Sequence, residues 1–447
     1  MKAAREQWTS RVAFILAAAG SAVGLGNIWR FPYLAGTNGG AAFLIIYLVL
    51  IVLIGYPLIV TEVTLGQKSH KNAIGTFKAL AADTPWWVVG ALGVLAGFVI
   101  LSFYSVVGGW SVAYFFKAIT GSLTTGTEFG AVFGGLISSS GEPLLWHAAF
   151  MLLTIGIIAT GVVKGIDRGV RVLMPALFVL LLILVIRSIT LPGAGEGLAF
   201  YLKPDFSNFT ANSLLDAVGQ AFFSLSLGMG CMITYGSYMR DSDTVGDNAG
   251  WVVGLDTLIA VLAGFAIFPA VFALGGDPSS GPGLTFITLP GVFAEMPGGV
   301  IFAVLFFLLL TVAALTSAIS LLEVVVAWLV DEHEWDRKKA SILIGLLIFL
   351  LGVPASLSLG AVDITVGGMA FFDFLDFLQG NILLPLGGLL TAIFAGYVWT
   401  AKRTREQANA NPGKIKIGVW YDFLIKYLVP IAIAIVMITG LIDKFSG

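Results

Sequence analysis

Charge is what this sequence has least of. Only 11% of its residues are Asp, Glu, Lys or Arg, against roughly 25% in an ordinary soluble domain. With 58% hydrophobic residues over 447 positions and a mean hydropathy of +0.96, the comfortable class is a polytopic membrane protein, with the lipid bilayer as its first partner. Cysteine is nearly absent too: Cys231 stands alone, so no intrachain disulfide is possible. The three histidines, His70, His147 and His333, lie far apart without metal-ligand spacing. A net charge of -2 and the lack of a basic aromatic patch give no reason to expect nucleic acid as a partner. No cleavable signal peptide is evident. Lys2, Arg5 and Arg11 run straight into a long apolar segment, which reads as a first membrane helix.

A span needs about 20 apolar residues. Eleven segments qualify: roughly 11–37, 41–67, 86–118, 143–162, 166–188, 213–239, 246–275, 298–330, 337–355, 367–399 and 418–442. Basic residues cluster at the N-terminus and in every second connection, as at Lys68, Lys71 and Lys78, at Lys164, Arg168 and Arg171, and from Arg337 to Lys339. By the positive-inside rule the N-terminus is cytoplasmic and the C-terminus extracytoplasmic, as a multi-pass protein of the cell membrane. The opposite connections are the long ones. They serve either as lids or as plain connectors, and Phe286 to Pro290 looks partly structured.

Two spans carry the wrong residues for a continuous helix. The first contains Gly20-Ser21-Ala22-Val23-Gly24-Leu25-Gly26-Asn27-Ile28-Trp29-Arg30-Phe31-Pro32. Gly and Pro weaken or break a helix, and buried Asn or Arg is expensive. One reading is a glycine-rich helix packed closely on a neighbour. The other is an interrupted helix whose freed carbonyls and Asn27 amide line a midplane site, as in secondary transporters. The sixth span repeats the pattern with Gln220 and then Phe223-Ser224-Leu225-Ser226-Leu227-Gly228-Met229-Gly230-Cys231. Breaks in corresponding spans of two halves point to inverted repeats around a central site.

These residues are recognisable together. Arg5-Glu6-Gln7-Trp8, the span-one run to Pro32, Asn38 to Phe43, Gly55-Tyr56-Pro57 with Glu62, and Ser224 to Gly230 resemble the neurotransmitter:sodium symporter family, above all its prokaryotic amino-acid transporters. The likeness runs from Arg5 to Pro430. It implies an all-α membrane protein with a 5+5 inverted-repeat, leucine-transporter-like fold, discontinuous helices 1 and 6, and eleven transmembrane helices. The expected divisions are residues 1–190 and 191–400 for the two repeats and 401–447 for a cytoplasmic loop and helix 11. Many members have twelve spans; the extra one lies outside the ten-helix core and bears on dimer contacts, so the oligomeric state stays open.

The resemblance also assigns residues. It implies two Na+ ions, and a hard cation wants oxygen ligands. The first would be held by the Ala22 carbonyl, Asn27, Ser224, Asp256 and the substrate carboxylate. The second would be held by the carbonyls of Gly20, Val23 and Ala313 with the hydroxyls of Thr316 and Ser317. Animal members place a chloride near positions matched here by Tyr47, Gln220, Ser224 and Asp256. A carboxylate at Asp256 can supply that negative charge itself, so no chloride is expected. The implied activity is sodium-coupled import of a hydrophobic L-amino acid, aromatic or branched, by alternating access.

Its carboxylate would meet the backbone from Gly24 through Leu25 to Gly26 and the Tyr104 hydroxyl. Its amine would meet carbonyls near Ala22, Phe223 and Ser226, and its side chain Val23, Ile100, Phe223, Ser226, Met229, Thr316 and Leu321. The resemblance assigns Arg30 and Asp376 to an outer gate and Arg5, Trp8, Ser237, Tyr238 and Asp331 to a cytoplasmic gate. Glu62 and Glu323 read as acids that cap broken-helix backbone. Gly165, ten residues before Pro175, reads as a segment able to unwind toward the cytoplasm, with a static kink as the other reading. A membrane-embedded enzyme finds no His/Cys/acid cluster to support it, so no catalytic residues are expected. A sensor that binds without transport shares the same motifs.

Overall fold

A computed structural model describes residues 6–207, 209–281, 283–411 and 413–446. Its helices follow the apolar segments closely. The first span is a bent pair, α1 (Arg11–Ala22) and α2 (Gly26–Thr37), meeting at 48°. Then come α3 (Ala41–Ser69), α4 (Trp87–Ile119), α5 (Glu142–Ala159) and α6 (Val162–Ile189). The sixth segment is α7 (Ala211–Ser224) and α8 (Cys231–Gly236), joined by non-helical chain. The remaining long helices are α9 (Val245–Ala273), α11 (Gly299–His333), α12 (Arg337–Leu357), α13 (Phe371–Val398) and α14 (Trp420–Gly440), with a shorter apolar helix α10 (Leu284–Glu295) before α11.

Among the described residues nine helices are long and apolar enough to cross a membrane, and the bent α1–α2 pair makes ten. The expected sixth span fails that test because its break leaves two halves that are each too short. α1 starts where the Ser10 side chain accepts the Ala13 N–H, and α7 starts in a capping box between Thr210 and Ser213. Both caps satisfy backbone donors that a helix start leaves open.

α4 and α11 are the central posts. They are buried over 72% and 61% of their most apolar stretches, whereas α14 is buried over only 22% and turns the rest toward lipid. Three of the long connections hold helices, one of them Ala194–Leu202. α10 packs Phe286 against Trp110 and Tyr114 of α4, with ring centroids 5.8 and 5.2 Å apart. A further helix, Phe129–Ser138, stacks Phe133 on the same Phe286. This aromatic layer covers one end of α4, as a lid would.

Candidate functional site

The first break is forced by crowding. α1 ends at Val23, whose ψ of 105° leaves the helical region. A side chain at Gly24 would place its Cβ 2.2 Å from Ser317 Oγ and 2.7 Å from Tyr104 Oη, and one at Gly26 would meet Phe223 at 2.9 Å. Only glycine lets this backbone press against α4, α7 and α11. The second break is made differently. Ser226, Gly228 and Gly230 have φ of 54°, 76° and 74°, left-handed values at which the glycines cost little. A Cβ on Gly228 would lie 2.4 Å from the Leu384 carbonyl.

Each break leaves backbone groups that a membrane interior cannot leave unpaired. Gly228 N–H donates to the buried Glu62 Oε1 at 2.8 Å, as expected of Glu62. Leu25 N–H donates to Tyr104 Oη at 3.1 Å, and Gly24 N–H to Asn27 Oδ1 at 3.1 Å. The Gly26 carbonyl accepts from Gln220 Nε2 at 2.7 Å. Glu323 departs from expectation. It caps no broken backbone and instead accepts from Tyr238 Oη at 2.6 Å and pairs with Arg337.

The breaks meet in two oxygen-rich clusters. In the first, Asn27 Nδ2 lies 2.7 Å from Asp256 Oδ1 and 3.1 Å from Ser224 Oγ. Ser224 Oγ is 2.9 and 2.8 Å from the two Asp256 oxygens, and Tyr47 Oη is 3.2 Å from Ser224 and 3.5 Å from Asp256. All four side chains are buried. The Asn27 amide nitrogen can only donate, and both hydroxyls can, so the Asp256 carboxyl sits as acceptor among three donors. Gln220, expected beside Asp256, is instead committed to the Gly26 carbonyl and Arg30.

In the second cluster, Thr316 Oγ1 lies 2.9 Å from the Ala313 carbonyl and 3.3 Å from that of Val23. Ser317 Oγ lies 3.3 Å from the same Val23 carbonyl and 3.0 Å from that of Ser21. A Cβ on Gly20 would be 3.4 Å from Thr316 Cβ, so α1 touches α11 there. Five oxygens from α1 and α11 thus converge without a fixed charge. The second set is all oxygen, the chemistry a sodium ion takes; in the first the Asn27 amide presents its nitrogen to Ser224 and Asp256 while its oxygen accepts from the Gly24 N–H.

Between the clusters lies a cavity lined by both breaks, α4 and α11. Of the residues expected at the substrate, Ala22, Gly24, Gly26, Ile100, Tyr104, Phe223, Ser226, Met229 and Leu321 line it. Val23, Leu25 and Thr316 do not. The first and last face the second cluster, and Leu25 is fully buried beside Tyr104. Ser21 also lines the cavity, its Oγ 3.2 Å from Ser226 Oγ and 2.7 Å from Ser320 Oγ. Ser320 was not foreseen. The signal was its three-residue spacing from Ser317, which puts both hydroxyls on one helix face.

The residues expected at the two gates are arranged differently. Trp8 is buried, donates Nε1–H to the Tyr235 carbonyl at 2.9 Å and its backbone N–H to that of Tyr238 at 3.0 Å. Arg240 holds the Trp8 and Thr9 carbonyls. Ser237 donates to the Thr234 carbonyl. Asp331 accepts from the Asn72 backbone and side chain; its expected partner Arg5 lies outside the described residues. At the other end, the Arg30–Asp376 contact is not made. Arg30 donates to Gln220 at 3.3 Å and stands 5.3 Å from the Phe223 ring centre, while Asp376 accepts from Gln379. The Gln220 oxygen is free for Arg30 because the amide nitrogen is spent on the Gly26 carbonyl released by the break. Phe223 is half-buried above the cavity, its ring 6.5 Å from that of Tyr104.

The Sodium:neurotransmitter symporter family model matches residues 5–128 and 134–446 of this chain. A sodium-dependent transporter of Bacillus subtilis, YhdH, is 44% identical over 97% of both chains. A sodium-dependent transporter of Haemophilus influenzae is 38% identical over 98% of both. The crystal structure of MhsT in complex with L-phenylalanine superposes with a TM-score of 0.91 at 48% identity, covering 98% of this chain and 100% of that one.

Proposed function

The chain belongs to the sodium:neurotransmitter symporter family, a multi-pass sodium-dependent transporter rather than an enzyme, and from that premise we propose that it imports a hydrophobic L-amino acid with two sodium ions and without chloride. One observation carries the reading: both helix breaks converge on a cavity flanked by two oxygen-rich clusters.

The first sodium would sit among the Ala22 carbonyl, Asn27, Ser224 and Asp256. The Asn27 oxygen would then leave the Gly24 N–H, which becomes free for the substrate carboxylate together with the Leu25 N–H and the Tyr104 hydroxyl. The second sodium would sit among the Gly20, Val23 and Ala313 carbonyls and the Thr316 and Ser317 hydroxyls, replacing the contacts these hydroxyls make to carbonyls. Asp256 would supply the negative charge that a chloride supplies in other members, because the Tyr47 and Ser224 hydroxyls turn to its carboxylate. Ile100, Met229 and Leu321 make the side-chain end of the cavity apolar, and flexible Met229 adapts to side chains of different size. MhsT, the solved relative, carries L-phenylalanine, which supports an aromatic or branched substrate here.

Alternating access would follow from the gates. Trp8 seals one end, and the positive-inside pattern assigns that end to the cytoplasm, with the C-terminal end outside. Arg30, Phe223 and Asp376 would close the other after sodium and substrate bind. Binding of purified protein to the twenty amino acids, with sodium and with potassium, tests the proposal: sodium-dependent affinity confined to hydrophobic amino acids is expected.

A further inference from the structure

Away from the transport path, one cavity joins an unpaired cation to an unpaired hydroxyl. It lies between α6, α9, α10 and α11. Leu184, Ile267, Phe293 and Phe306 give it apolar walls, and Arg187 and Ser188 line it as well. Among the described residues the Arg187 side chain has neither hydrogen bond nor ion pair; its guanidinium rests 5.7 Å from the Phe302 ring centre. Ser188 is 2% exposed, and its hydroxyl has no partner. A buried hydroxyl without a partner and a neighbouring cation without a counter-ion can both take oxygens of one ligand.

The position says what fills it. α6 starts beside the N-terminal segment, where Thr9 donates to Asp167 and the Val162 N–H donates to Glu6. Arg187 lies nineteen residues beyond Arg168, a rise of about 29 Å at 1.5 Å per residue, close to the thickness of a hydrocarbon core. The guanidinium therefore reaches the headgroup level of the leaflet opposite Trp8, while the apolar walls continue from it toward the bilayer interior. Ile183, Ile186 and Ile301 expose lipid-facing surface beside it.

We propose that this cavity binds an anionic phospholipid of that leaflet, with the phosphate on Arg187, the Ser188 hydroxyl donating to a headgroup or ester oxygen, and an acyl chain along Leu184, Phe293 and Phe306. A zwitterionic headgroup brings no net charge to the guanidinium and is the weaker occupant. Because α10 forms one wall and also carries Phe286 of the aromatic lid, an occupied cavity ties the lid to α6.

Native mass spectrometry of the purified, delipidated full chain, titrated with equimolar phosphatidylglycerol and phosphatidylcholine, tests this. Phosphatidylglycerol adducts should exceed phosphatidylcholine adducts by about fivefold, the preference one arginine near an anionic surface supports. Arg187→Gln should remove that preference, Arg187→Lys should keep part of it, and Lys203→Gln should leave it unchanged. Equal retention of the two lipids by the wild-type chain would overturn the proposal, as would a preference that survives Arg187→Gln. Displacement of phosphatidylglycerol by millimolar inorganic phosphate would mark a free-anion site and overturn it too.

Discussion

The Asn27 side-chain nitrogen lies 2.7 Å from an Asp256 carboxylate oxygen, a contact that joins the first helix break to α9 across 229 positions of sequence. Ser224 of the second break touches both. One carboxylate thus ties together the parts that must move if the protein alternates its access.

Asp256→Asn removes that charge while keeping the shape. If Asp256 stands in for chloride, uptake by the variant should fall at least about tenfold in chloride-free buffer, the scale of losing a little over 1 kcal/mol from a buried charge-assisted contact. Added chloride should restore part of the rate. Radiolabelled uptake into vesicles, with gluconate replacing chloride, checks this; a variant indifferent to chloride would remove Asp256 from the role.

Thr316 and Ser317 test the second cluster. Thr316→Val keeps the volume and deletes one oxygen, and Ser317→Ala deletes another. Each should raise the sodium concentration for half-maximal binding by about tenfold, equal to roughly 1.4 kcal/mol, with less effect on amino-acid affinity at saturating sodium. Titrating sodium against tryptophan fluorescence measures it.

The capping of Gly228 by Glu62 separates charge from hydrogen bonding. Glu62→Gln keeps an acceptor oxygen and should leave most of the transport rate. Glu62→Ala strands the Gly228 N–H in the interior and should cost about 1–3 kcal/mol. Gly228→Ala should be worse, since it adds a left-handed penalty of about 1–2 kcal/mol to a clash with the Leu384 carbonyl. Thermal unfolding in detergent ranks the three.

Trp8 is buried and makes two hydrogen bonds, and the proposed function has it seal its end of the molecule. Trp8→Ala deletes a buried aromatic worth about 3–5 kcal/mol, and the loss falls on the sealed state. Cys231, the single and fully buried cysteine, reports the result. Its alkylation by a maleimide should speed up in the variant and slow again when sodium is added. An unchanged rate would mean that Trp8 is not what seals this end.

Much of the architecture was legible because a bilayer penalises the wrong residue so heavily. Gly24, Gly26 and Asn27 at mid-span, echoed by Ser224, Gly228 and Gly230, announce two breaks before any coordinates exist. What the residues could not reveal was how the freed backbone would be shared out. Arg30 meets Gln220 and Phe223 rather than Asp376 because Gln220 turns its nitrogen to the Gly26 carbonyl, a choice settled by geometry between distant helices. Glu323 looked like Glu62, an acid buried in a span, but Arg337 lies close enough to pair with it. Ser320 escaped notice because a serine in a membrane helix usually bonds its own preceding turn. Ser320 does donate to the Ser317 carbonyl, and it also takes the Ser21 contact.

The central claim is that sodium and a hydrophobic amino acid occupy one composite site between the two breaks. Thermal stability of the purified chain across the twenty amino acids, in sodium and in potassium, tests it most directly. The account predicts stabilisation by aromatic and branched amino acids in sodium alone, with each ligand strengthening the other, because the substrate carboxylate completes the first sodium site. Equal stabilisation in potassium, or none by any hydrophobic amino acid, would contradict it.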